Sequence, residues 1–270
     1  VAEGRYAPSD ERYLTDVIAL ALARVENSRT LRRLNVSQTR EAAHAFLLSI
    51  GRWTPAENPY PLRLGAPTTQ PELPAPPLPN EPRRDLTHLL ALAIDDEGSG
   101  DPDDALSLDG ERLWVHVADV AALVAPDSPL DQEARDRAAN LYLPEGTIHM
   151  LPAEVTDRLA LGLQELSPAL SFGFDPNENG EYDLIDITLS LVRVTRTTYE
   201  AAETHLDESP YRELLAIAEA NLARRLANGA IEIDLPEAKI RVSPDGEVVV
   251  RPLPRLRSRE IVREAMLMTG

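Results

Sequence analysis

The sequence predicts an α+β protein. A small helical or winged-helix domain is expected over residues 1–64, a proline-rich linker over 65–84 and a mixed α/β domain over 85–270. Three observations carry this expectation. Helix-spaced apolar residues fill the first sixty positions, seven prolines crowd into 67–82, and from residue 86 apolar strand patterns alternate with amphipathic helical ones. Apolar residues make up 43% of the 270, enough for a sizeable core, but only 4% are aromatic, so aliphatic groups must fill it.

Taken in order, Leu14, Val17, Ile18, Leu20, Leu22 and Val25 form one broad helical face. Asn27-Ser28 breaks it, and a short segment follows around Leu31–Leu34. Ser37 is the expected N-cap of a helix carrying Ala42, Ala43, Phe46, Leu47 and Ile50, which Gly51 ends. The prolines at 67, 71, 74, 76, 77, 79 and 82 exclude helix and sheet interior, so this stretch is a semi-extended linker or a strap across the surface. Beyond it, Leu113–Ala118 reads as a buried strand and Asp131–Leu141 as a helix. Leu170–Phe174 and Tyr182–Val194 read as strands joined by Asn177-Glu178-Asn179-Gly180. Tyr211–Asn228 is an amphipathic helix stopped by Gly229. Ile231–Ile233 and Ile240–Val242 read as strands, Pro244-Asp245-Gly246 turns into Val248–Val250, and a last helix begins near Ser258.

Composition narrows the function classes. The absence of cysteine excludes a disulfide framework, a thiolate zinc site and a cysteine nucleophile, and fits a reducing cytoplasm. No apolar run approaches the ~20 residues that span a bilayer, and no secretory signal pattern opens the chain, so no membrane role is expected. With 45 acidic against 27 basic residues the net charge is −18. That argues against binding nucleic acid by phosphate neutralisation, except that carboxylates holding metal ions also count as negative. The chain opens on Val1 and stops at Gly270 inside a helical pattern, as a fragment would.

The chemistry concentrates in Asp95-Asp96-Glu97-Gly98-Ser99-Gly100-Asp101-Pro102-Asp103-Asp104, where six of ten residues are acidic. Apolar runs Leu89–Ile94 and Ala105–Leu108 flank it. Carboxylates this dense raise one another's pKa values unless a cation neutralises them. All-oxygen ligands suit Mg²⁺ or Mn²⁺, and two such ions ~4 Å apart can activate water and stabilise a leaving oxygen in phosphodiester hydrolysis. Gly98, Ser99 and Gly100 let the loop curl so that Asp95 and Asp101 converge. A solvated acidic loop is the plain alternative.

Ile94-Asp95 with Asp101-Pro102-Asp103-Asp104-Ala105-Leu106 resembles the signature of the ribonuclease II family, whose RNB domain shows an aspartate, five residues and then D-x-D-D-A. Val115-His116-Val117-Ala118-Asp119-Val120 resembles the strand that follows. Tyr142-Leu143-Pro144, Met150-Leu151-Pro152, Leu161-Gly162-Leu163, Ser171-Phe172, the Ile231–Ala238 block and Arg263-Glu264-Ala265-Met266 continue the similarity in order over about 86–270. The resemblance implies the N-terminal part of an RNB-type catalytic domain. It also implies a processive, Mg²⁺-dependent exoribonuclease, a cytoplasmic monomer that hydrolyses single-stranded RNA from its 3′ end to nucleoside 5′-monophosphates. Asp95, Asp101, Asp103 and Asp104 would form the metal site, with Asp95 and Asp104 as direct ligands and Asp103 and Asp104 the catalytic pair. Tyr142 would stack on a terminal base and Tyr199 would touch the terminal nucleotide. A non-catalytic RNA-binding or scaffold relative of the same fold is the alternative.

Some positions depart from the family. Arg263 precedes Glu264 where two acidic residues are usual, and Ile233 stands where a base-stacking aromatic is usual. The family's later arginine and its C-terminal RNA-binding barrel are expected beyond Gly270. Two competing readings attach to other residues. Asp175 to Gly180 with Asp183 and Asp186 matches much of a calcium-loop template, although a hairpin turn explains the same residues. His116 and Asp119, three apart, would point to opposite faces of a strand and are read, with His149, as structural.

Overall fold

The computed structural model describes residues 5–233, 235–243 and 246–270. The expected turn residues Pro244 and Asp245, and Asp234 of the Ile231–Ala238 block, lie outside the described residues. The chain divides into two compact units.

The first unit takes the chain up to Pro71 together with Glu133–Met150 and Glu237–Leu253. Its regular elements up to residue 64 are helical: a 3-10 turn at Pro8–Asp10, then α1 (Glu11–Ala21), α2 (Arg29–Arg33), α3 (Arg40–Ser49) and α4 (Tyr60–Arg63). Leu14, Val17, Leu20, Leu31, Ala43, Leu47, Ile50 and Trp53 share one apolar core. The starts of α2 and α3 are set by hydroxyls that satisfy otherwise orphaned N–H groups. Ser28 Oγ accepts from Leu31 N at 3.1 Å and Thr39 Oγ1 from Ala42 N at 3.1 Å.

The second unit holds Glu72–Gln132, Leu151–Pro236 and Pro254–Gly270. Its centre is a seven-stranded sheet built from β1 (Arg84–Asp85), β2 (Ala91–Asp95), β3 (Asp104–Asp109) and β4 (Arg112–Ala118). Along the chain follow α5 (Pro129–Arg137), the strands β5 (Leu141–Leu143) and β6 (Gly146–Ile148), which belong to the first unit, and α6 (Ala153–Leu159), and the sheet resumes with β7 (Ser167–Pro176), β8 (Tyr182–Val192) and β9 (Val194–Thr198). The strand order is β1-β8-β7-β4-β3-β2-β9, with β1–β8 and β2–β9 parallel and the other pairs antiparallel. On one face Leu92, Ile94, Leu106, Val115 and Phe174 pack with α7 (Tyr199–Glu203), α8 (Tyr211–Ala227) and α9 (Ser258–Thr269) through Ala202, Leu214, Leu215, Ile217, Ile261, Val262 and Ala265. The other face carries Ala91, Ala93, Ala105 and Ala169, small enough to leave room for Trp114 and Leu161. At the centre of the sheet both faces are covered, so Ala91–Ile94 of β2 reads as a continuous apolar run rather than an alternating one.

A row of buried polar groups crosses four strands. Ser107 Oγ lies 2.8 Å from His116 Nε2, His116 Nδ1 lies 2.7 Å from Ser171 Oγ, and Ser171 Oγ lies 2.6 Å from Ser190 Oγ. His116 is thus structural, and so is Asp119, which pairs with Arg83 at 2.6 Å. The proline-rich stretch has neither helix nor strand and includes a strap. Leu73 and Ala75 pack on Leu123, Leu130, Val155 and Leu159, and Arg158 Nη1 donates to Pro76 O at 2.9 Å.

Several expected boundaries moved. Thr39, not Ser37, caps α3, because its hydroxyl lies within reach of Ala42 N. Val25 leaves the buried face because α1 ends at Ala21 and Ala23 adopts a left-handed φ of 62°. The helix expected over 131–141 runs Pro129–Arg137; Ala138 turns at φ 66° and Leu141 enters β5, paired with Ile148. The strand expected over 182–194 divides into β8 and β9 at Arg193. Ile231–Ile233 forms no strand: among the described residues no strand pairs with it, and both isoleucines are exposed. The last two strands are β10 (Ala238–Val242) and β11 (Val248–Pro252), an antiparallel hairpin. Glu264 is buried against Asn221 Nδ2 and Arg225 Nη1, each at 2.8 Å. The calcium-like residues form the β7–β8 hairpin turn, with Asp175 bound by Arg112 and Asp186 by Arg84.

Candidate active site at the acidic loop

Asp95 ends β2 and Asp104 begins β3, so the acidic loop spans two adjacent antiparallel strands. Sheet pairing puts Asp95 opposite Thr198, the residue before Tyr199. The loop backbone is fastened at several points. Ala118 N donates to Asp103 O and Leu161 N to Pro102 O, each at 2.8 Å, and Arg196 Nη2 donates to Ser99 O at 2.5 Å. Gly98 takes φ +79°, a left-handed turn closed by Ser99 N donating to Asp96 O at 3.0 Å. The Arg196 side chain passes directly over Gly162, where an added Cβ would sit 2.9 Å from Arg196 Cγ.

The carboxylates act on one another. Burial, then the charges of Asp103 and Asp95, push Asp104 up to about 7. Burial, then Asp95 and Asp101, raise Asp103, whose carboxyl is recessed although the residue as a whole is solvent-exposed. Asp104 Oδ2 is buried with no hydrogen-bond partner. Asp95 Oδ1 accepts from Asp96 N at 2.7 Å. Tyr199 is drawn into the same field. Burial, then Asp104 and Asp95, raise the pKa of its phenol.

The donor set suits a hard divalent cation, which takes oxygen ligands and leaves water or phosphate oxygens in the remaining positions. The orphaned Asp104 oxygen is the observation that fits such an ion, since a buried acceptor without a partner is costly. Among the described residues, no group of three or more His, Cys, Asp or Glu side chains stands close enough together to hold a metal ion. Asp95, Asp101, Asp103 and Asp104 are thus not gathered into a ready three-ligand group here.

Tyr142 belongs to the other compact unit. It lies on β5, paired with Thr147, and is 70% exposed. One residue at the site escaped sequence reasoning altogether. Arg259, near the start of α9, donates through Nη2 to Asp96 Oδ1 and lies with Cζ 4.2 Å from the Tyr199 ring centroid. No motif in the chain points to it.

The fold and the loop define a class: mixed α/β domains, preceded by a helical module, that present clustered carboxylates from the ends of adjacent strands. Residues 83–270 match the RNB domain and residues 2–59 match the double HTH domain, and the chain belongs to the RNB-domain family. It is 37% identical over 247 residues to a Synechocystis protein described as an uncharacterized ribonuclease, covering 83% of this chain and 37% of that relative. The chain thus spans well under half of that relative's length. Among solved structures, the Dss1 exoribonuclease active-site mutant of Candida glabrata superposes with a TM-score of 0.75 at 21% identity, over 96% of this chain and 42% of that one. RNase R of Mycoplasma genitalium, solved with ribose-methylated single-stranded RNA, gives 0.61 at 20% identity over 68% and 32%. Yeast Ssd1, described as a pseudonuclease, gives 0.56 at 19% over 82% and 29%. Among the described residues no helix is long and apolar enough to cross a membrane.

Proposed function

We propose that this chain supplies the carboxylate half of the catalytic centre of a hydrolytic, Mg²⁺-dependent exoribonuclease. The enzyme degrades single-stranded RNA processively from the 3′ end to nucleoside 5′-monophosphates. The observation that carries the reading is Asp104, a buried carboxylate with an unpartnered oxygen, pressed by Asp103 and Asp95 within the family signature. Asp95, Asp101, Asp103 and Asp104 would hold Mg²⁺ or Mn²⁺, with Asp95 and Asp104 as direct ligands. Such an ion, when bound, stabilises negative charge on the scissile phosphate and sharpens a nearby water as nucleophile. Asp103 orients that water by accepting its hydrogen bond. Tyr199, with its phenol kept protonated, contacts the terminal nucleotide, and exposed Tyr142 stacks on a base. The protein acts as a cytoplasmic monomer in this reading, which cell fractionation and light scattering test.

The test is digestion of labelled single-stranded RNA by the full-length protein with and without Mg²⁺. Mononucleotide release that requires the ion is expected. Asp103→Asn is expected to abolish cleavage and keep RNA binding; unchanged cleavage by that variant defeats the assignment. The likeness to a pseudonuclease favours one second reading, a non-catalytic RNA-binding relative. RNA binding without Mg²⁺-dependent cleavage by the native protein would decide for it.

A further inference from the structure

We propose that Arg259 is a positioning residue that locks Tyr199 and the acidic loop into one preformed platform for the 3′-terminal nucleotide. This rests on the exoribonuclease reading and deepens it. The guanidinium does two things at once. Its flat face covers the Tyr199 ring at 4.2 Å, and its Nη2 edge holds Asp96 Oδ1, one residue past Asp95. Asp96 N in turn donates to Asp95 Oδ1 at 2.7 Å, so the clamp reaches the proposed metal ligand through one backbone step.

The arm that carries Arg259 is rigid. Ile261, Val262 and Ala265 of α9 are buried in the main core. Ser258 Oγ donates to Tyr199 O and Ser258 N to Glu203 Oε2, each at 2.8 Å, which bolts the start of α9 to both ends of α7. Among the described residues Arg259 Nε is buried without a partner, and the Tyr199 stack and the Asp96 pair hold the head group. A planar fork that stacks and bonds edge-on is a property of arginine; lysine keeps the charge and loses the geometry. The pair also sets a cation against Asp96, whose charge would otherwise repel the neighbouring Asp95 carboxylate. Tyr199 would then be held facing Asp104 before RNA arrives, and the nucleotide would meet an ordered surface.

The experiment compares native, Arg259→Lys, Asp96→Asn, Tyr199→Leu and the Arg259→Lys/Tyr199→Leu double variant in the full-length protein. The readouts are RNA binding in EDTA and, with Mg²⁺, KM and kcat separately. Arg259→Lys is expected to weaken metal-free binding and raise KM roughly 5–20-fold with kcat within about twofold, because lysine keeps the charge but loses the stacked, edge-bonded geometry that holds Tyr199. Asp96→Asn is expected to give a smaller shift in the same direction. In the double variant the lysine substitution is expected to add almost nothing to Tyr199→Leu, because its partner is gone. Native-like binding and KM in Arg259→Lys, or additive losses in the double variant, overturn the proposal. A fall in kcat alone also overturns it. A native protein that neither binds nor cleaves RNA defeats the exoribonuclease reading instead. Should Arg259→Lys unfold, Asp96→Asn with Tyr199→Leu gives the same additivity test.

Discussion

Asp95 and Thr198 are register partners at the ends of the parallel strands β2 and β9. The acidic loop and the tyrosine that follows Thr198 therefore leave the sheet side by side, although a hundred residues separate them in sequence. This places Tyr199 in the field of Asp95 and Asp104, and it gives Arg259 two neighbours to grip.

Two buried groups pull the pH dependence of the metal-free protein in opposite directions. Asp104, raised from 3.8 to about 7, keeps its proton longer in the folded state, so stability falls as pH rises from about 4 to 7. His116, lowered from 6.5 to about 4 by burial, resists protonation when folded, so its contribution is present above pH 6.5 and lost as pH falls toward 4. Each effect is on the order of 3–4 kcal/mol at most. A shallow stability profile between pH 4 and 7 is expected in EDTA. Asp104→Asn should leave the His116 slope alone, with the melting temperature rising by ~5–10 °C from pH 4.5 to 7. Calorimetry across this range checks it, and a flat profile in the variant contradicts the argument.

Added Mg²⁺ should raise the melting temperature of the native protein more at pH 8 than at pH 5, because the ion competes with the Asp104 proton. Asp104→Asn should lose most of that rise. Differential scanning fluorimetry with titrated Mg²⁺ reads both.

Gly162→Ala tests whether the loop is held from behind. The φ of +78° disfavours any side chain by ~1–2 kcal/mol, and the new methyl would displace Arg196. Arg196 would then release the Ser99 carbonyl. The variant is expected to melt several degrees lower and to digest RNA more slowly at limiting Mg²⁺. Native digestion rates would separate the loop from Arg196.

Breaking the buried row should cost more than breaking surface pairs. His116→Ala leaves Ser107 and Ser171 without their shared partner and opens a void, so a loss of ~3–5 kcal/mol in denaturant unfolding is expected. A loss below about 1 kcal/mol would show that the serines find other partners.

Tyr142→Ala should leave the melting temperature unchanged, since the side chain is largely exposed, and weaken RNA binding by the ~1–3 kcal/mol of one stacked base. Fluorescence anisotropy with labelled single strands measures it. Unchanged affinity removes Tyr142 from the proposed site.

The amino-acid sequence by itself determined the local vocabulary of this protein. The apolar run Leu113–Ala118 announced a buried strand, prolines excluded helix and sheet interior over 67–82, and Gly98 among the carboxylates announced a loop able to curl. These are short-range properties, dictated by φ preferences, side-chain volume and like-charge repulsion over a few residues. Tertiary structure decided everything that depends on register and distant pairing. Ile231–Ile233 has strand propensity, but among the described residues no strand pairs with it, so it is not a strand. Asp104 has a stranded oxygen because β3 buries it, and Arg259 reaches Asp96 across 163 residues only because α9 packs on the same sheet face as α7. Nothing local distinguishes that arginine from the other arginines of the chain, because its role is made by the cores that carry it.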